Sequence, residues 1–354
     1  MNRLLIIDII RGHLLLAVIW DHLAYLIGPS IFAYYNYFGL LWVSAAEGFV
    51  IISGFLLGYL FLYKGRYSSK EFIKIISKRI VLLYSISVVS TILVSIFFWG
   101  GNKLELSGIW RSNRPRELDF FELVLYSVLF IHHFGWMDIF VLYVWLFLIA
   151  LAILPIMKKH KFSYIMVLIV SFLIWLFDNV YRLELNLIQV SSFRLLSWQF
   201  LFTISLVLGM HFERLRDILI YFYKKNILRI FVIVAFIIFF ILGIIFPYMK
   251  NDLLLILFSK EFVGLGRLIL SFFWLYSVGI ILKILSDRIN FLGSTLSYIG
   301  KESLYVYAVH AVIITFLDKI FISDLFLNSL CVFLITIFIY FLVYLKHKFL
   351  KRLG

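Results

Sequence analysis

Residues 138–157 read DIFVLYVWLFLIALAILPIM, and after the opening aspartate no charge interrupts the run. In the hydrocarbon core of a bilayer no water satisfies backbone N–H and C=O groups. A chain of this kind must therefore coil into a helix, and about twenty residues are enough to cross. The signature recurs along the sequence. Apolar blocks at approximately 4–27, 38–63, 80–99, 138–157, 162–178, 195–210, 230–246, 264–282, 298–316 and 326–345 predict about ten spans. The predicted fold class is all-α: a polytopic membrane helical bundle forming one integral membrane domain over 1–354. No repeat, low-complexity run or soluble portion is visible in the sequence.

Composition and charge agree with this reading. Hydrophobic residues make up 64% of the chain and charged residues 15%, against about 45–50% and about 25% in soluble domains. A net charge of +14 would suggest nucleic acid in a soluble protein. Here no nucleic-acid partner is implied, because the basic residues gather in alternate loops. One loop holds Lys64, Arg66, Lys70, Lys74, Lys78 and Arg79, and the next holds Lys158, Lys159, His160 and Lys161. Five more lie in 214–229, and the tail carries Lys346, Lys348, Lys351 and Arg352. Placing both termini in the cytoplasm puts about 21 Lys/Arg inside and about 9 outside.

The amino terminus reads as a permanent first span, since Asp8, Arg11 and Asp21 break what would be the apolar core of a cleaved signal. The single cysteine, Cys331, excludes an internal disulfide and a cysteine-rich metal site. The longest outer segment, 100–137, begins polar, with Arg111, Arg114, Pro115 and Arg116. Its apolar second half, 120–133, predicts an interfacial or re-entrant helix.

Ionised groups inside a membrane helix cost about 2.5–3.5 kcal/mol each on insertion scales. The first span nevertheless contains Asp8, Arg11 and His22. Asp8 and Arg11 are three apart, share a face and can pair. Arg11 and His22 are eleven positions apart, which is about 1100° of turn and about 16 Å of rise. One stripe therefore carries a cation in the inner half and an imidazole near the outer leaflet. That suits a substrate lying along the helix, bound at one end and reacting at the other. Histidine takes up and releases protons near neutral pH. Asp21 points about 100° away from it, so Glu47 is the better candidate to orient it if the first two spans pack side by side. The structural alternative is an interfacial histidine beside a packing ion pair.

Other polar residues carry two readings each. Ser53 either bonds a substrate or its own helix backbone. No GxSxG elbow surrounds it, so it is not read as a nucleophile. Asp138 either caps a helix or meets a substrate. Trp198 and Gln199 either contact a sugar or belong to the aromatic belt. Arg267 either snorkels or meets an anionic group. His310 either lines the same cavity as His22 or bonds a neighbouring helix. Lys78 and Arg79 either bind phosphates or follow from positive-inside topology. Adjacent His132 and His133 would face different sides of a helix, so no metal site is expected.

Three function classes fit these residues: an enzyme, a transporter or flippase using the Asp8/Arg11/His22/Glu47 stripe as a path, and a scaffold. No internal symmetry favours the transporter. The scaffold needs every buried charge to be structural.

The run Asp8-Ile9-Ile10-Arg11-Gly12, with His22 after ten intervening residues, resembles the opening motif of the membrane acyltransferase-3 superfamily. Asp21-His22 and Ala46-Glu47-Gly48-Phe49-Val50 with Ser53-Gly54 are most similar to its OpgC branch. Further similarity lies at Met137-Asp138-Ile139-Phe140-Val141-Leu142-Tyr143, Trp198-Gln199-Phe200-Leu201-Phe202, Gly209, Gly266-Arg267-Leu268, and either Leu292-Gly293 or Ile299-Gly300-Lys301-Glu302-Ser303-Leu304-Tyr305-Val306-Tyr307.

The resemblance implies transfer of a succinyl or acetyl group from cytoplasmic acyl-coenzyme A, a co-substrate with no other cofactor. The acceptor would be a hydroxyl of an extracytoplasmic glycan, and the location the inner membrane of a bacterium. It implies His22 as general base, Glu47 to orient it and Asp8 to hold Arg11. Arg11, Ser53, Lys78 and Arg79 would face the donor. Asp138, Trp198, Gln199, Arg267 and His310 would face the acceptor.

Overall fold

The computed structural model describes residues 5–34, 42–99, 110, 112, 114–159, 162–182, 193–245, 252–315 and 324–353. Residues 100–109 and Arg111, like His160 and Lys161, lie outside the described residues. In chain order the helices are α1 (Leu5–Ile27), α2 (Ile31–Tyr34), α3 (Ala45–Leu57), α4 (Ser69–Trp99), α5 (Phe120–Val128), α6 (Asp138–Lys159), α7 (Ser163–Tyr181) and α8 (Leu195–Met210). They continue as α9 (Phe212–Lys224), α10 (Asn226–Ile245), α11 (Asp252–Leu257), α12 (Leu265–Arg288), α13 (Asn290–Lys301), α14 (Ser303–Thr315) and α15 (Leu325–Leu353). Among the described residues β pairing is confined to one isolated bridge, Trp110 with Phe134. The protein is all-helical.

Six helices among the described residues are long and apolar enough to cross a membrane: Ala45–Tyr63, Ser69–Trp99, Gly135–Lys159, Ser163–Tyr181, Leu265–Arg288 and Leu325–Lys346. The bent pair α8 and α9, at 90°, makes a seventh if it is one span. At 1.5 Å per residue α1 is also long enough to cross, at about 34 Å, but it carries Asp8, Arg11 and Asp21.

Several boundaries differ from the apolar pattern. The block 298–316 is not one helix: the chain breaks at Glu302, between α13 and α14. The polar run Gly300-Lys301-Glu302-Ser303 interrupts the apolar residues there, and Glu302 is the residue that receives Lys346. The helix predicted for 120–133 stops at Val128. A capping box between Asp119 and Glu122 starts it, and Phe130, at φ 59°, turns the chain away. His132 and His133 therefore lie in a turn.

The chain divides into two compact units. The first comprises Met1–Phe49, Ile218–Phe258 and Gly266–Gly354. Here α1 packs closely against α13, because glycines remove the side chains that would hold the backbones apart. A Cβ added at Gly12 would overlap the Leu296 carbonyl, and one at Gly300 would overlap the Asp8 carbonyl. Gly300→Ala is therefore expected to lower stability by at least the 1–3 kcal/mol typical of overpacking, since backbone rather than a flexible side chain blocks the space. Thermal unfolding in detergent checks this. An unchanged midpoint would mean that the contact is looser than described.

The second unit comprises Val50–Asp217 and Ser259–Leu265. It uses the same device, with Gly58 against the Leu206 carbonyl and Gly209 against that of Phe55. The α3 helix passes into a π-helical turn at Gly58–Tyr63 beside this contact.

Candidate active site

In the first unit α1 and α14 together form a polar stripe. His22, half-buried, places Nδ1 3.3 Å from Nε2 of His310, and the two rings stack with centroids 5.4 Å apart. His310 is fully buried and meets the Tyr307 ring edge-on at 4.7 Å. Eleven residues earlier on α1, Arg11 donates from Nη2 to Ser303 Oγ at the start of α14. Arg11 precedes His22 as Ser303 precedes His310, so the two helices run parallel. Asp8 is buried one turn before Arg11, where α1 meets Gly300.

The imidazole pair can handle a proton. One ring must donate and the other accept. When His22 Nδ1–H donates to His310, the basic lone pair of His22 lies on Nε2, the nitrogen farther from its backbone. His310 then holds the other ring nitrogen of His22.

Glu47 is held by Ser44 and Arg267. Its Oε2 accepts from the Ser44 N–H at 2.8 Å and from Ser44 Oγ at 2.6 Å. Its Oε1 accepts from Arg267 Nη1 at 2.6 Å. Arg267 also donates from Nε to the Phe258 carbonyl at 2.9 Å. Both side chains are almost completely buried. They form an interior ion pair with several of their hydrogen bonds made within the protein, the condition under which buried charge is tolerated.

The remaining predicted residues lie in the second unit. Ser53 Oγ is 3.2 Å from Tyr143 Oη. Lys78 and Arg79 are exposed on α4, with the Arg79 guanidinium over the Phe147 ring at 5.6 Å. Asp138 is buried and receives His133 Nε2 at 2.8 Å. Neighbouring His132 bonds Ser95 and Ser112 through its two nitrogens and stacks on Trp110. Trp198 is fully buried, its indole N–H donating to the Lys260 carbonyl at 3.2 Å. Gln199 accepts from Ser171 Oγ and donates to the Ser171 and Leu196 carbonyls.

Sequence reasoning missed one buried network in this unit. Asp178 is 0% exposed and receives Arg194 at 2.9 Å and Ser197 Oγ at 2.5 Å. Arg194 reaches Glu261 as well, at 3.4 Å. Partial burial works against the Arg194 charge, but the Asp178 and Glu261 carboxylates outweigh it and raise the guanidinium above its ordinary pKa. The available signal was an acid closing one apolar block and an arginine opening the next.

A family model described as OpgC protein matches residues 3–351. The chain belongs to the OpgC family. Membership points to a glucan-modifying acyltransferase set in a membrane, which suits the apolar helices. No curated protein and no solved structure matches the chain. For an OpgC-family chain the histidine pair acquires a chemical context, because acyl transfer to a hydroxyl needs a group to take the hydroxyl proton.

Proposed function

We propose that this protein is an integral membrane O-acyltransferase. It moves a succinyl or acetyl group from cytoplasmic acyl-coenzyme A to a hydroxyl of an extracytoplasmic glucan. The observation that carries the reading is the His22–His310 contact, with Arg11 about 16 Å away along the same helix. His22 removes the proton as the hydroxyl oxygen attacks the thioester carbonyl. The carbon–sulfur bond then breaks, and the proton passes to the leaving thiolate to give free coenzyme A and the ester. Arg11 lies toward the donor side and meets its anionic portion, with Ser303 and Asp8 holding that end of α1. The Glu47–Arg267 pair fixes the start of α3 rather than touching the reacting atoms.

The sidedness follows from about ten spans with both termini inside, the arrangement that keeps most Lys and Arg cytoplasmic. It puts Arg11 in the inner half of the bilayer and His22 in the outer half, in a bacterial inner membrane.

Purified protein in detergent, given labelled acyl-coenzyme A and a soluble glucan, is expected to form ester without any gradient. Mass spectrometry of the glucan would show the added acyl mass. Absence of ester with every donor tried, together with movement of glucan or lipid across vesicles holding the protein, would replace this reading with a transporter.

A further inference from the structure

We infer that His133, held by Asp138, is a binding group for a carbohydrate hydroxyl, at a corner of the second unit built by α4, the end of α5 and the start of α6. The class of ligand rests on the acyl-transfer reading; the site itself is read from the geometry. His133 Nε2 lies 2.8 Å from Asp138 Oδ1, and both side chains are buried. A carboxylate only accepts, so Nε2 carries a proton and, in the neutral ring, Nδ1 is left as a lone-pair acceptor. That Nδ1 is buried and has no hydrogen-bond partner among the described residues. Buried acceptors are rarely left so, because losing water without replacement is costly.

Two more buried polar atoms without a partner among the described residues belong to the same region, Ser87 Oγ on α4 and Ser127 Oγ on α5. Tyr84 Oη donates to the Val128 carbonyl at 2.9 Å, and the Phe134 N–H donates to Thr91 Oγ1 at 3.3 Å. Residues 84–91 of α4 therefore run beside 128–134. Ser87 lies inside that contact and Ser127 at its edge. An acceptor with two hydroxyls matches a polyol, which offers a donor and an acceptor at each oxygen. The carboxylate end of a succinyl group only accepts and would leave His133 Nδ1 unmade, and a hydrocarbon chain would leave all three. The turn itself is built at a conformational cost: Phe130, bulky and at φ 59°, brings His133 back onto Asp138. Asp138 acts through His133 and is a positioning residue.

The test measures binding of a soluble glucan oligosaccharide to the intact detergent-purified protein, without donor, by titration calorimetry. His133→Gln keeps an N–H for Asp138 but offers no lone pair at the Nδ1 position. It is expected to weaken binding about tenfold or more with an unchanged unfolding midpoint. Should His133→Gln fail to fold, Ser127→Ala serves in its place. Removing a buried unpaired hydroxyl leaves stability equal or higher, and binding should still fall severalfold. Parental affinity in the folded variant, or no binding by the parent protein, overturns the inference and leaves the buried nitrogen to a water at most. Glucan binding lost in the variant, with no ester ever formed by the parent, would keep this site and sink the proposed activity. Ester formed by a variant of parental affinity would do the reverse.

Discussion

Replacing His22 with alanine is expected to cut glucan acylation by about 10²–10⁴-fold, the usual worth of a general base, while the protein stays folded. The imidazole is half-buried on α1 rather than packed in its core, so its loss removes little apolar contact. The rate of ester formation reports the effect, and elution of the variant from a sizing column controls for folding. His310→Gln should retain part of the rate, because an amide can still hydrogen bond the His22 ring now 3.3 Å away; His310→Leu should lose more. An undiminished rate in His22→Ala would remove this residue from the proton step and leave the pair a packing contact.

Glu47→Ala is expected to lower stability by about 3–5 kcal/mol, because it leaves the Arg267 charge buried without its counter-ion. The side chains are only 1% and 4% exposed, and their atoms are 2.6 Å apart. Ser44 would also lose the acceptor of its N–H and hydroxyl. Removing both charges together, as Glu47→Leu with Arg267→Met, should recover much of the loss, since well-packed apolar replacements for a buried pair are often neutral. Thermal unfolding of the parent, Glu47→Leu, Arg267→Met and the double variant completes the cycle. A single variant as stable as the parent, but without activity, would instead give Glu47 a direct part in the chemistry.

Much of the candidate site is legible in the sequence because charge is conspicuous against an apolar background. Asp8, Arg11, His22 and Glu47 are each foreign to the helix that holds them, and helical period alone puts Arg11 and His22 on one stripe. Their partners are another matter. His22 meets a residue 288 positions away and Glu47 one 220 positions away. Nothing local distinguishes the contact Glu47 makes with Arg267 from the one it was expected to make with His22. Asp178 and Arg194 escaped notice for the opposite reason: at the ends of apolar blocks they look like ordinary boundary charges, and only packing brings them together.

The amino-acid order alone determined that this chain is helical and bilayer-embedded, because a run of apolar residues in hydrocarbon has no other way to satisfy its backbone. It also singled out the first span as carrying polar chemistry, since insertion of unneeded charge is costly. Only the tertiary structure decided which groups meet: His22 with His310, Arg11 with Ser303, Glu47 with Arg267, and His133 with Asp138. Those outcomes depend on how closely two helices approach, which at α1 and α13 is set by glycines whose missing side chains matter only once the opposing backbone is in place.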